Sequence, residues 1–273
     1  MQYIMPTREQ NSNKGTFGKV LNFSGSDNYI GAAYLSTLGS IKIGAGLTAL
    51  ASTKKVIASV STMLPEAVYL SDKEALTNLN KYTTFLIGCG FGLNRSSEKR
   101  FKHIMNKLQK ETKPIIIDAD GLNLLAKFTP SQPSPSREGV LILTPHPMEA
   151  SRLLGCSLEN VLNDLENSAK KISEKFACIT VLKTHRTIIC DKDFKIHINQ
   201  HGNSALAKAG TGDVLAGIIT GLIAQGMNNF EACKLGVYLH ARAGEIASKD
   251  LTEYSVLASD LIRYLPQAIK ELI

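Results

Sequence analysis

Pro114-Ile115-Ile116-Ile117-Asp118-Ala119-Asp120-Gly121-Leu122-Asn123 is a β-branched apolar run that ends abruptly in acids, a glycine and an amide. Unbroken apolar character marks a strand covered on both faces, the condition of a parallel sheet packed between helices. Ligands of such sheets sit beyond the carboxyl ends of the strands, where the acids fall here.

Outward from this stretch the pattern repeats. Val20–Ser24, Val56–Val60, Thr84–Gly88, Val140–Thr144 and Cys178–Lys183 join Pro114–Asp118 as expected strands. Between them Gly31–Ile43, Ser97–Gln109, Pro147–Leu154 and Leu158–Phe176 read as helices, with Gly155 as a stop. Thr187–Cys190 and Phe194–Asn199, joined by Asp191-Lys192-Asp193, read as a hairpin at one edge, and helices near Phe230–Ser248 and Ser259–Leu272 close the chain. The alternation predicts an α/β fold with a mostly parallel central sheet and helices on both faces. One domain is expected over 1–273, with Thr129–Glu138, which holds three prolines and three serines, as an exposed loop.

Composition removes several function classes. The chain has 273 residues, 44% of them hydrophobic, enough to bury a full core. Its 31 Lys plus Arg against 24 Asp plus Glu give a net charge of +7 without a long basic block, which suits an anionic ligand or an ordinary solvated surface. Aromatics at 6%, no Trp and no recognised module argue against nucleic acid. Five scattered cysteines, never in Cys-x-x-Cys spacing, indicate neither a disulfide framework nor zinc, and suit a reducing cytoplasm. No uninterrupted apolar stretch is long enough to cross a membrane.

The rim residues after each strand are chemically coherent. They include Ser24-Gly25-Ser26-Asp27, Gly88-Cys89-Gly90-Phe91-Gly92, Thr144-Pro145-His146-Pro147-Met148-Glu149 and Lys183-Thr184-His185-Arg186-Thr187. Gly210-Thr211-Gly212-Asp213 then opens onto Val214, Leu215, Ile218 and Ile219, a small-residue turn feeding a helix start. Free amides at such a start meet an anion, and Asp213 beside them can take a proton from a hydroxyl. The plainer alternative is that Asp213 complements the helix dipole and the glycines shape a turn. His146 stands between two prolines that break strand pairing, which favours a ligand contact over a core role. His103, His185, His197, His201 and His240 are expected on the surface or in packing.

Taken together and in order, Lys14-Gly15-Thr16-Phe17-Gly18, Gly25-Ser26 with Gly31-Ala32-Ala33, Gly44-Ala45-Gly46-Leu47, Gly88 to Gly92, Asp118 to Asn123, Leu143 to Pro147, Lys183, Gly202-Asn203 and Gly210 to Asp213 carry a resemblance. The chain resembles the ADP- or ATP-dependent NAD(P)H-hydrate dehydratases of the ribokinase-like superfamily, from about Lys14 to Pro266. That resemblance implies a ribokinase-like three-layer sandwich. It also implies dehydration of the S-epimer of hydrated NADH or NADPH, driven by ADP or ATP through phosphorylation of the C6 hydroxyl, with ADP leaving as AMP and phosphate.

By the same resemblance Asp213 is the catalytic base, and Ala32, Gly92, His146 and Asp213 contact the hydrated cofactor. Lys183, Thr184, His185, Arg186 and Thr187, with Gly210, Thr211 and Gly212, hold the nucleotide; Thr184 stands where the family carries glycine. Asp118, Asn123 and Glu149 support the site, Glu149 either organising Mg²⁺ and water or serving as a first-turn helix acid. Mg²⁺ is expected with no assigned protein ligand. A homo-oligomer, a homotetramer by family habit, and functional pairing with a separate NAD(P)H-hydrate epimerase are implied, with no nucleic acid or membrane partner. A small-alcohol kinase for a vitamin precursor and a nonenzymatic adenylate sensor remain the rival readings.

Overall fold

A computed structural model describes residues 3–128 and 140–273. The expected loop 129–138 lies outside the described residues. Among the described residues there are nine strands, β1 (Lys19–Phe23), β2 (Leu47–Ala51), β3 (Val68–Leu70), β4 (Thr84–Ile87), β5 (Ile115–Ile117), β6 (Leu141–Leu143), β7 (Cys178–Leu182), β8 (Ile188–Cys190) and β9 (Ile196–Ile198). They form one sheet in the order β3-β2-β1-β4-β5-β6-β7-β8-β9. Pairing is parallel from β3 through β7 and antiparallel through β8 and β9, the expected edge hairpin. Both margins of the sheet, β3 and β9, are three residues long.

The helices are α1 (Ile30–Lys42), α2 (Lys54–Ser61), α3 (Asp72–Leu76), α4 (Arg95–Leu108), α5 (Asp120–Phe128), α6 (Pro147–Leu154), α7 (Leu158–Asn163), α8 (Leu165–Phe176), α9 (Thr211–Ala224), α10 (Asn229–Ser255) and α11 (Ala258–Lys270). Successive strand residues alternate faces, so neighbours in sequence enter different cores. Leu86, Ile116 and Ile142 pack with α9, α10 and α11 on one side. Phe85, Ile87, Ile115, Ile117, Leu141 and Leu143 pack against α4 to α8 on the other. This two-sided burial is why the strand sequences show no polar alternation.

Two expectations fail. Val56–Val60 is not a strand but the middle of α2, capped by the Thr53 hydroxyl, which accepts from the Val56 amide at 3.4 Å. Val56 and Val60 are both fully buried and lie four apart, so helical spacing overrides their β-branched chemistry. The single helix expected over Leu158–Phe176 is two, broken at Asp164, whose side chain accepts from Asn167 N at 3.0 Å and starts α8. Gly155 ends α6 as expected, with φ 70°. The penultimate helix runs on to Ser255, interrupted at Thr252 with φ 66° and ψ 156°.

The strand order reverses between β1 and β4, and the crevice at such a switch point is where these sheets bind ligands. Helices α1 and α9 cross over that crevice in close contact. A Cβ on Gly217 would lie 2.2 Å from the Ser36 carbonyl oxygen, and the Ser40 hydroxyl donates to Gly217 O at 3.0 Å. Only small residues allow this approach, and it fixes the start of α9 above the strand ends.

Candidate active site

Asp118 directly follows β5 and is 1% exposed. Its Oδ1 accepts from the Thr144 hydroxyl at 2.7 Å and from Lys183 Nζ at 2.5 Å, joining the rims of β5, β6 and β7. Lys183 Nζ also lies 3.9 Å from Glu149 Oε2. Burial opposes the Lys183 ammonium, yet Asp118 and Glu149 outweigh it and hold its pKa above that of ordinary lysine. Lys183 is therefore a permanent cation at the rim, placed where phosphate oxygens would be drawn.

The quartet 210–213 forms the expected helix start. Gly210, with φ 89°, is the N-cap residue of α9, and a Cβ there would sit 2.6 Å from Leu35 Cδ1, so glycine is required. Asp213 lies in the first turn and is partly buried. Burial first, then the neighbouring Asp118 charge, push its carboxyl up to about 7, the range suited to a proton acceptor near neutral pH. The Cys89 thiol donates to Asp118 Oδ2 at 3.9 Å, and Cys89, Asp118 and Asp213 bring a ligand atom each within 4.8 Å of one another. A Cβ on Gly212 would lie 3.4 Å from Lys183 Nζ, so the bare backbone brings the helix amides beside the cation.

His146 is the N-cap of α6. Its Nδ1 accepts from Met148 N at 3.1 Å and Glu149 N at 3.4 Å, while Glu149 Oε2 accepts from His146 N at 2.8 Å. Burial and the Lys183 charge lower the imidazole pKa, so the ring is neutral with its proton on Nε2. Burial pushes the Glu149 carboxyl up to about 7, opposed by Lys183. Glu149 thus closes the capping box at the start of α6 and also faces the Lys183 ammonium.

Ala32 sits in the first turn of α1. A Cβ on Gly90 would lie 2.6 Å from the Ala32 methyl, and the Ser26 hydroxyl donates to Gly90 O at 2.9 Å. Gly92 N donates to Asp120 Oδ2 at 2.7 Å, a tie that sequence reading missed because Asp120 looked like one more rim acid. Asn123 accepts from Arg152 Nη1 at 2.7 Å and braces α5 against α6.

A cavity of about 670 Å³ opens beside Lys183, between the turn after β7, residues 199–208, the start of α9 and one face of α10. Lys183, Thr184, His185, Thr187, Thr211 and Gly212 line it. Arg186 is exposed and outside the lining, with its carbonyl accepting from the Thr184 hydroxyl at 2.7 Å. His240, expected on the surface or in packing, is buried and forms part of the wall, as does Asn199. Its spacing from Val237 and Ala241, three back and one on, is the sequence signal that could have placed it on that face.

The Lys183–Asp118 pair, the Asp213 carboxyl and the cavity thus gather around the start of α9. The family profile described as NAD(P)H-hydrate dehydratase matches residues 20–267. The chain belongs to the NAD(P)H-hydrate dehydratase family.

Within that family the chain is 34% identical over 270 residues to the ADP-dependent (S)-NAD(P)H-hydrate dehydratase of Bacillus subtilis, covering 97% of this chain and 94% of that one. The crystal structure of the ADP/ATP-dependent NAD(P)H-hydrate dehydratase from Bacillus subtilis, co-crystallised with ATP/Mg²⁺, superposes with a TM-score of 0.89 at 32% identity, covering 99% of this chain and 95% of that one. A ribokinase-like superfamily protein from Enterococcus faecalis gives a TM-score of 0.86 at 31% identity, covering 98% and 92%, and the three-layer fold here is ribokinase-like. A bifunctional NAD(P)H-hydrate repair enzyme of Moorella thermoacetica is 33% identical over 281 residues, covering 98% of this chain but 52% of its own length. The chain thus spans about half the length of the bifunctional relatives it matches.

Proposed function

We propose that the protein dehydrates the S-epimer of hydrated NADH and NADPH back to the reduced cofactor, with ADP, or ATP in its place, as the phosphoryl donor. The observation that carries this reading is Asp213, a carboxyl with raised proton affinity in the first turn of α9, beside the Lys183–Asp118 pair. Hydroxide leaves a saturated carbon poorly, and phosphate leaves well. Asp213 takes the proton of the C6 hydroxyl as its oxygen attacks the terminal phosphorus of ADP, and AMP departs. Lys183 and the amides at Gly212 and Asp213 draw off the charge that develops on the transferring group. The ring nitrogen's lone pair then expels phosphate, and loss of a proton from C5 restores the dihydronicotinamide.

In this reading Ala32 and Gly92 make room for the hydrated ring, and the neutral Nε2–H of His146 donates to the cofactor's phosphate or sugar. Lys183 to Thr187, with Gly210 to Gly212, holds the nucleotide, Arg186 contributing through its backbone. The donor set does not suit Mg²⁺ held by protein atoms alone, because Asp118 is committed to Lys183, Thr144 and Cys89, and a thiol completes the nearest cluster. It suits Mg²⁺ bound through the nucleotide's phosphates and water near Glu149, where the ion would neutralise phosphate charge. A homo-oligomer, partnership with a separate epimerase and a cytoplasmic setting accompany the proposal; no described helix is long and apolar enough to cross a membrane.

The test is recovery of reduced-nicotinamide absorbance from hydrated NADH with ADP, with ATP and without nucleotide, alongside phosphate release. Recovery that needs nucleotide and matches phosphate release supports the proposal. A stable phosphorylated alcohol, or silence with both nucleotides, overturns it.

A further inference from the structure

Beyond the cation, the cavity ends against α10, where Val237, His240 and Ala241 share one side of the helix. His240 is 7% exposed, and its Nε2 lies 2.9 Å from the Thr211 carbonyl oxygen. A carbonyl only accepts, so Nε2 carries the proton. Burial, and after it the Lys183 charge, lower the ring's pKa to about 4, which keeps the imidazole neutral with a lone pair on Nδ1. No described residue donates to that lone pair. Asn199, 2% exposed in the same wall, repeats the arrangement. Its Nδ2 donates to His201 O at 2.8 Å, which sets the amide's orientation and leaves Oδ1 buried without a partner.

His240 and Asn199, each oriented by a backbone carbonyl, therefore line a cavity whose wall also includes the apolar Leu206, Leu215, Val237 and Ala241. A buried acceptor without a partner, such as Asn199 Oδ1, is costly, and a ligand that donates to it recovers the loss. We propose that His240, assisted by Asn199, reads the nucleotide's base, accepting an exocyclic amine and refusing a base that presents a carbonyl oxygen in its place. The inference rests on reading the cavity as the nucleotide site, with phosphates at Lys183 and Gly212 and the base at α10. The apolar neighbours of His240 fit the flat faces of a purine better than a ribose. An oxygen facing Nδ1 would leave two acceptors opposed and desolvated, which is how polar sites reject near-isosteres.

The test is calorimetric binding of ADP, IDP and 2′-deoxy-ADP to the full chain and to its His240→Leu and Asn199→Ala variants. The native protein should favour ADP over IDP by about tenfold or more, and bind 2′-deoxy-ADP within about threefold of ADP. His240→Leu should bring the ADP-to-IDP ratio below about threefold, chiefly by weakening ADP. Should that variant fail to fold, Asn199→Ala must narrow the same ratio, and the native series stands by itself. Equal binding of ADP and IDP by the native protein overturns the assignment, as does a folded His240→Leu with its preference intact. A penalty confined to 2′-deoxy-ADP also overturns it, placing a ribose hydroxyl at His240. Binding is read without turnover, so preference for ADP in a protein that never repairs hydrated NADH would sink the proposed activity alone. Repair supported equally by ADP and IDP would sink the base reading alone.

Discussion

At the scale of single residues, Asp213 carries two separable consequences. As the proton acceptor it must be ionised, so kcat/KM for hydrated NADH should rise through about pH 7, and Asp213→Asn should lower kcat by a factor of about 10² to 10⁴. Near-normal turnover in an Asn variant that still binds ADP would remove Asp213 from the mechanism. The second consequence concerns stability. The folded pKa of about 7 exceeds the unfolded value of 3.8, so between these limits the folded chain keeps a proton the unfolded chain has lost. Stability from this group therefore falls as pH rises through that window. Asp213→Asn should be the more stable protein at pH 8, with an advantage over pH 5 larger by about 2 kcal/mol in urea unfolding. Lys183→Met works the other way: it leaves Asp118 buried without its cation, which should cost about 3 kcal/mol, and ADP should bind at least about tenfold more weakly.

At the scale of elements, the contact of α1 with α9 holds Ala32 and Asp213 to one crevice. Gly217→Ala would push a methyl to 2.2 Å from the Ser36 carbonyl oxygen, so the helices must part, and a loss of about 2 kcal/mol or more is expected in denaturant titration. Wild-type stability in that variant would mean that the helices have slack. Elements of this kind were unevenly legible in the sequence. Strands β4 to β7 stood out because burial on both faces leaves no charged residue until the rim, and the rim acids then mark the site. Strand β2 did not, since Leu-Thr-Ala-Leu-Ala has weak strand chemistry and is held by its neighbours β1 and β3. The β-branched Val56 and Val60 misled for the opposite reason, their four-residue spacing being the stronger signal. Asp118, Lys183 and the 210–213 turn could be named in advance because each ends or begins an element. For His240 the helical spacing marks only a face of α10, and what joins it to the cavity is its partner Thr211, 29 positions away on another helix.

At the scale of the whole molecule, the cavity beside Lys183 is walled by the turn after β7, the start of α9 and one face of α10, so a nucleotide held there would touch all three. ADP at about a hundredfold excess over its dissociation constant should raise unfolding free energy by about 2.7 kcal/mol, read as a rise in melting temperature. A nucleotide that left the melting temperature unchanged at that excess would not be binding the folded state. The short outermost strands of the sheet have a different consequence. A foreign strand seeking to lengthen the ribbon at β3 or β9 meets a template of three residues, so each rim offers it few rungs of backbone pairing. The same brevity that makes these strands easy to overlook shields a broad, strongly apolar sheet from recruiting other chains at its edges.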